Sequence, residues 1–393
     1  MSTLQGPKEH VIRVVDSPAQ VDAEAWNTLL EAQSAPTPFM RHEYLLALHE
    51  SGSAVGECGW APQWLCLYEC DALLAACPVY LKSHSYGEYV FDWAWAEAYQ
   101  RHGLHYYPKL LCAVPFTPVP GSRLLARDPA SRRFLLRAMR QIAQGSELSS
   151  AHLLFMDETD LQAATDEGWM LRQTLQFHWL NRQPSGYAGF DEFLASLQRD
   201  KRKKIAQERR RVAEAGVTFS SYEGTQIDTG LWDFFHDCYT RTYAAHHSTP
   251  YLSRDFFARM QDSMARHWVM FVAQRAGRRL GCSLLAIDPD RRHAYGRYWG
   301  CTEYLPCLHF EACYYQPLSW CIERGYARFE GGAQGEHKMA RGLLPVLTHS
   351  AHWLSHPGFS DAVARHLQRE GAGIEAYVDE LRERNPFKAG ALG

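Results

Sequence analysis

The sequence has no long apolar run. Its longest, such as Ala72 to Leu81, fall far short of the ~20 residues that cross a bilayer, so no transmembrane helix is predicted. Met1 to Asp16 lacks a basic stretch followed by an apolar one; no secretory leader is expected, and the predicted location is cytoplasmic. The eleven cysteines include no Cys-x-x-Cys pair. Only Cys66 and Cys70, read as sharing one face of a strand, approach zinc-ligand spacing. His246-His247 and His102/His105 have no carboxylate at such a spacing either. The cysteines therefore read as buried, reduced thiols, and no metal is expected. Missing too are a P-loop, a Gly-x-Gly-x-x-Gly fingerprint and a Gly-x-Ser-x-Gly elbow, which removes the commonest nucleotide-binding and serine-hydrolase signatures.

What is present describes a globular protein. With 393 residues, 46% hydrophobic and 13% aromatic, the chain is too apolar for disorder and long enough for two domains. An internal repeat supports that division. Thr37-Pro38-Phe39-Met40-Arg41-His42-Glu43-Tyr44 aligns with Thr249-Pro250-Tyr251-Leu252-Ser253-Arg254-Asp255-Phe256, an offset of 212. Each copy precedes a helix-like stretch and then a hairpin, Trp64 to Leu81 in one half and Trp268 to Ile287 in the other. The pattern of short strands and interspersed helices predicts a mixed α/β (α+β) class with mostly antiparallel sheets. The chain breakers around Arg182-Gln183-Pro184-Ser185-Gly186 place the boundary between domains at 1–185 and 186–393. One charged helix is predicted over 190–215.

The net charge of −3 is an average over an uneven distribution. Arg199 to Arg211 carries eight basic and two acidic residues, a +6 segment against −9 elsewhere. Leu194, Leu197, Ile205 and Val212 give this helix an apolar face. Its cationic face, with Lys201, Arg202, Lys203, Lys204, Arg209, Arg210 and Arg211, suits a phosphate-rich partner and fits RNA better than a single nucleotide.

Two further blocks can carry chemistry. Residues 82–123 form an aromatic, proline-rich insertion too long for a plain connection, with Glu88, Asp92, Lys109 and Thr117 among its polar groups; aromatic walls with a few polar groups suit a small-molecule or peptide pocket. The other runs from Tyr298-Trp299-Gly300-Cys301 through His309-Phe310-Glu311 to Gly331-Gly332-Ala333-Gln334-Gly335-Glu336-His337-Lys338 and Arg341. It gathers glycines that permit close backbone approach with a carboxylate, an imidazole and two cations.

These motifs resemble a bacterial FemAB-like family grouped with the GNAT superfamily. The resemblance rests on Phe39 to Glu43, His84 to Trp93, Tyr106 to Leu110, Pro115 to Val119, Tyr298 to Cys301, Leu308 to Glu311 and Gly332 to Lys338. It implies tandem duplicated GNAT-like domains, and an acyltransferase moving an aminoacyl group from aminoacyl-tRNA to an amine of a peptide or cell-wall precursor. The alternatives are a CoA-dependent N-acyltransferase and a non-catalytic binder of cell-wall or peptide fragments. One departure counts against acyl-CoA. Where GNAT acetyltransferases place a glycine-rich turn, this chain has Thr302-Glu303-Tyr304-Leu305-Pro306-Cys307-Leu308, with no glycine. In this reading Lys338 and Arg341 face the anionic donor end or the oxyanion, and Glu336, His337 or Glu311 takes the proton. Glu88, Asp92, Trp93, Tyr107, Lys109, Thr117, Tyr298, Trp299, His309 and Gln334 bind substrate, and no tightly bound cofactor is expected.

Overall fold

The repeated hairpins become strands, and the strands are arranged about a crossover helix in a similar way in both halves. A computed structural model describes residues 10–333 and 335–390. It divides into one unit formed by the chain up to Thr174 with Thr348–Glu375, and another formed by Leu175–Leu347 with the chain from Ala376 onward.

In the first unit the strands are β1 (His10–Val15), β2 (Trp60–Pro62), β3 (Trp64–Glu69), β4 (Ala72–Cys77), β5 (Val79–Lys82), β6 (Lys109–Cys112), β7 (Leu125–Ala126) and β8 (Ser150–Met156). Pro78 has no N–H to give to a ladder, and the strand breaks there. β4 joins the order β1-β3-β4-β7, while β5 joins β2-β5-β6-β8. β6 and β8 are parallel and are joined through the helix Pro129–Gly145. That helix starts on two local signals. Pro129 occupies its first turn, and the Asp128 carboxylate accepts from the Ser131 N–H at 2.9 Å. Leu135, Leu136 and Met139 repeat at helical spacing and are buried in the unit's core with Leu65, Leu74 and Ala75.

The second unit contains β9 (Met170–Leu180) from Leu175 onward, β10 (Thr218–Glu223), β11 (Trp268–Arg275), β12 (Arg278–Asp288), β13 (His293–Cys301) and β14 (Arg328–Ala333). Their order is β10-β11-β12-β13-β14-β9, antiparallel except for β13 and β14. Antiparallel hairpin, crossover helix, parallel partner and closing antiparallel strand thus recur in the same sequence in both units. The fold is mixed α/β, with one arrangement of hairpin, crossover helix and parallel partner used twice. The Thr-Pro motif marks the same place each time, the entry to the helices His42–Glu50 and Arg254–Ser263.

The division differs from the single cut at 185/186. β9 closes the second unit's sheet on β14, and the strand Leu344–Leu354 closes the first unit's sheet on β8. Each half of the sequence therefore lends its last strand to the other unit, and a linear boundary cannot describe that. The predicted helix 190–215 is also two helices, Phe190–Ser196 and Arg199–Glu214. Between them Leu197 turns extended to bridge Phe387, and the Gln198 N–H donates to the Pro386 carbonyl at 2.8 Å. Cys66 lies buried in β3, whereas Cys70 sits exposed in the following turn at φ 53°, so the two share no strand face. Among the described residues no group of three or more His, Cys, Asp or Glu side chains could hold a metal, and no helix is long and apolar enough to cross a membrane.

Gly300 fixes β13 against the helix Thr229–Ala245. A Cβ there would lie 2.1 Å from the Cys238 carbonyl oxygen, while Thr242 Oγ1 donates to the neighbouring Trp299 carbonyl at 2.9 Å. Gly300→Ala is expected to cost about 3 kcal/mol, because the clash is with backbone and cannot be relieved by a rotamer. A loss of unfolding free energy below about 1 kcal/mol, measured by urea titration, would contradict the packing described.

Candidate active site

β13 and β14 pair over only three residues, His293–Tyr295 against Arg328–Glu330, and then separate. Just past that point the ladder between β12 and β13 skips Arg297: Leu284 faces Tyr298 and Leu285 faces Gly296. Such a bulge leaves one residue outside the ladder and re-aims its backbone groups. A cavity of 150 Å³ opens beside it, lined by Ser283, Arg297, Tyr298, Trp299, His309, Cys313, Tyr314 and Gly331 among others.

The helix that crosses between the two strands shapes one wall. Pro317 has no N–H to give to the Cys313 carbonyl, and the helix widens into a π turn over Glu311–Tyr315. The Ala312 carbonyl then accepts from Ser283 Oγ at 2.5 Å, which ties helix to sheet. The turn brings Cys313 and Tyr314 to the cavity. It sends Glu311 elsewhere: its Oε1 accepts from Arg209 Nε at 3.2 Å and from Gln316 Nε2 at 2.8 Å.

Lys338 supports the other wall. Its buried ammonium donates to the carbonyls of Gly331, Gly332 and Ala333 at 2.7, 3.3 and 2.8 Å, holding the end of β14 where it has left β13. Burial pulls this amine down to about 8. His309 packs edge-on to Trp299 and Tyr314; burial and then the charges of His337, Arg341 and Lys338 lower its imidazole to about 4, so it is neutral at pH 7. His337 is more exposed, with Nε2 3.3 Å from the Tyr314 hydroxyl.

Of the sequence candidates in this unit, Tyr298, Trp299 and His309 line the cavity, and Lys338 braces Gly331 in its wall. Three are corrected. Arg341 is 1% exposed and spends its guanidinium on Glu208, at 2.9 and 2.8 Å, and on the His337 carbonyl at 2.6 Å. Glu336 is exposed and accepts from the Tyr377 hydroxyl at 2.7 Å and Arg384 at 3.3 Å. Glu311 is bound as described above. Gln334 lies outside the described residues. Ser283, Arg297, Cys313 and Tyr314 had no sequence signal, since a bulge and a π turn select them.

The first unit handles the equivalent gap differently. β6 and β8 pair over Leu110–Cys112 and Ala151–Leu153, and the chain after Cys112 then folds back over the opening. Ala113, Val114, Phe116 and Val119 are buried, and the Gly121 N–H donates to the Phe155 carbonyl at 3.0 Å. The gap is filled by the insertion itself. What the first unit has instead is a buried ionic cluster. Lys109 Nζ donates to Glu88 Oε2 at 2.8 Å, Asp92 Oδ2 at 2.5 Å and Ser85 Oγ at 2.8 Å. Burial raises Glu88 to about 7; it pushes Asp92 up as well, but the Lys109 ammonium more than reverses that. The Tyr106 hydroxyl donates to Asp92 at 2.6 Å and lies 3.3 Å from His152, whose other nitrogen is 2.8 Å from His352. Tyr107 joins through Ser85 at 2.8 Å. Glu88, Asp92, Tyr107 and Lys109 thus form one network, with Trp93 at the surface nearby. Thr117 is not part of it; its hydroxyl is 3.2 Å from that of Tyr44.

On the helix Arg199–Glu214, Ile205, Glu208 and Val212 are buried. Lys203, Lys204, Arg210 and Arg211 are exposed, Lys201 and Arg202 half-buried, and Arg209 is paired with Glu311.

Comparison with known proteins agrees with this architecture. Solved structures with similar folds include the C-terminal domain of a putative lysylphosphatidylglycerol synthetase from Agrobacterium fabrum (12% identity, 90% of this chain and 97% of that one, TM-score 0.52). FemX is similar at 10% identity, over 88% of this chain and 98% of that one, with a TM-score of 0.52. The L-PGS of Bacillus licheniformis matches at 12% identity, over 88% and 96%, also at 0.52. At these identities the likeness is one of fold. No curated protein sequence matches the chain. The model of the FemAB-like family, described as peptidoglycan biosynthesis/recognition, matches residues 17–389, and the chain belongs to that family.

Proposed function

We propose that the second unit is an acyltransferase that moves an aminoacyl group from aminoacyl-tRNA to an amine of a peptide or cell-wall precursor. The observation that carries this reading is the opening between β13 and β14, with the bulge at Arg297 on one side and the Lys338-braced carbonyls on the other. An ester carbonyl placed there would meet backbone N–H groups re-aimed by the bulge, the usual device for stabilising an oxyanion. The amine attacks that carbonyl, a C–N bond forms, the ester C–O bond breaks, and the ribose oxygen leaves with a proton. The departing ribose oxygen is the stronger base and takes the amine's proton, with neutral His309 at the cavity wall as a neighbouring hydrogen-bonding group. The family description supports the cell-wall acceptor.

Two features favour RNA over CoA as donor. The turn before the crossover helix, Thr302 to Leu308, has no glycine to give the bare backbone that a pyrophosphate needs, and its Glu303 carboxylate pairs with Arg275 at 2.6 Å and Arg278 at 2.5 Å. The helix Arg199–Glu214 presents Lys203, Lys204, Arg210 and Arg211 to solvent. Changing these four to Ala is expected to weaken tRNA binding by about 10²-fold at low salt and to flatten its salt dependence. The direct test is mass spectrometry of a bacterial metabolite extract incubated with the protein and a charged tRNA pool. A mass gain by one aminoacyl unit is expected; a gain that requires acyl-CoA instead, or tRNA affinity unchanged in the fourfold variant, would refute the donor.

A further inference from the structure

The surface of the aromatic insertion has a use that the acyl-transfer site leaves unexplained. Among the described residues eleven large apolar side chains are exposed, and five of them, Tyr86, Tyr89, Phe91, Trp93 and Leu104, fall within nineteen positions. Exposed aromatics concentrated in this way mark contact surfaces. Trp93 is 41% exposed, and its ring meets Tyr86, itself 58% exposed, at 5.0 Å.

Trp93 also opens the helix Trp93–Arg101, and Trp93, Ala96, Glu97 and Gln100 form one face of it by their spacing. That face is one wall of an open cleft of 810 Å³. Gly103, Leu104, His105, Tyr106 and Tyr107 complete the lining. The opposite face of the helix is anchored. Trp95 packs on His352 at 5.0 Å and Tyr99 stacks on Phe359 at 4.1 Å. Arg172 ties the turn before the helix by donating to the Phe91 carbonyl at 2.7 Å while pairing with Glu370 at 2.8 Å. Beneath the floor, Tyr106 and Tyr107 are locked by the Lys109 cluster. The aromatic groups are therefore held in place before any ligand arrives, which lowers the cost of binding.

We infer that this cleft is a saccharide-binding site. Flat indole and phenol faces match the apolar C–H faces of pyranose rings, and the carboxylate, amide, imidazole and phenol groups of Glu97, Gln100, His105 and Tyr107 match their hydroxyls. The lining contains no lysine or arginine, so it offers nothing to the phosphates of a nucleotide or of RNA. Glu97 is 3.9 Å from Arg101, which offsets its charge and leaves the cleft suited to a neutral ligand rather than an ammonium ion. The site stands on its own residues and does not depend on the acyl-transfer reading.

The test is titration of the full-length protein with chitotriose and maltotriose, read by tryptophan fluorescence and calorimetry, with AMP and tetramethylammonium as the anionic and cationic probes. Saturable binding of at least one oligosaccharide below about 10 mM is expected. Trp93→Ala should weaken it about ten-fold or more, and Tyr86→Ala by about three-fold. Because Trp93 and Tyr86 are exposed, both variants should keep the wild-type thermal midpoint, so the loss reads binding rather than folding. No saturation by either sugar, equal affinity in Trp93→Ala, or tighter binding of AMP or tetramethylammonium would overturn the assignment. A protein that transfers acyl groups yet ignores both sugars would reject this inference alone.

Discussion

Replacing Lys338 by methionine is expected to lower turnover in the acyl-transfer assay by about 10²–10³-fold. The side chain is buried, its three ammonium hydrogens go to three successive carbonyls, and those carbonyls shape the wall that keeps β14 apart from β13. Methionine fills similar volume but leaves all three carbonyls without their donor. The wild-type pH profile gives a second reading. With its amine lowered to about 8 by burial, Lys338 loses its charge and one of its donors as pH rises through that value, and turnover should fall there. Stability should move the other way. The folded value lies below the 10.5 of a free lysine, so between about 8 and 10.5 the unfolded chain binds more protons, and the contribution of this group to stability rises with pH. A rate that falls while this contribution grows assigns the loss to the site and not to unfolding. Turnover of Lys338→Met within about three-fold of wild type would remove Lys338 from the mechanism.

Much of this architecture was legible because it rests on local signals. The repeated Thr-Pro motif announces a duplicated unit. The aromatic excess of residues 82–123 pointed to Glu88, Asp92, Tyr107 and Lys109, which the structure joins in one cluster. The features that were not legible are those set by partners distant in sequence. His152 and His352 look like isolated polar residues in apolar strands, yet they face each other across the β8 ladder. Nothing local distinguishes a strand that closes its own sheet from one that closes its neighbour's, so a single linear cut differs from the division into units. The bulge at Arg297 depends on how β12 and β13 slide together, which a linear pattern does not encode.

Arg341 is the instructive case, and its replacement should produce the largest loss of stability. Nearness to Lys338 suggested a shared site, but Arg341 is 1% exposed and its guanidinium lies 3.6 Å from the Phe310 ring centroid while forking onto Glu208. Arg341→Met would leave the Glu208 carboxylate buried with the Tyr315 hydroxyl as its remaining donor. An uncompensated charge of this kind costs about 3–5 kcal/mol, a large part of the ~5–15 kcal/mol that holds a typical domain folded. Arg266→Met, which breaks an ion pair 60% and 70% exposed, should cost under about 1 kcal/mol and calibrates the comparison. The double variant Arg341→Met with Glu208→Met removes both charges and should recover most of the loss, since an apolar pair of similar volume can replace a buried ion pair. Denaturant unfolding of the four proteins tests this directly, and a cost below about 1 kcal/mol for Arg341→Met would mean that the pair is not buried as described. The same double variant separates the two roles proposed for Arg341. Recovery of both stability and turnover makes it a buttress beneath the site, whereas recovery of stability without turnover would return it to the chemistry that its sequence position suggested.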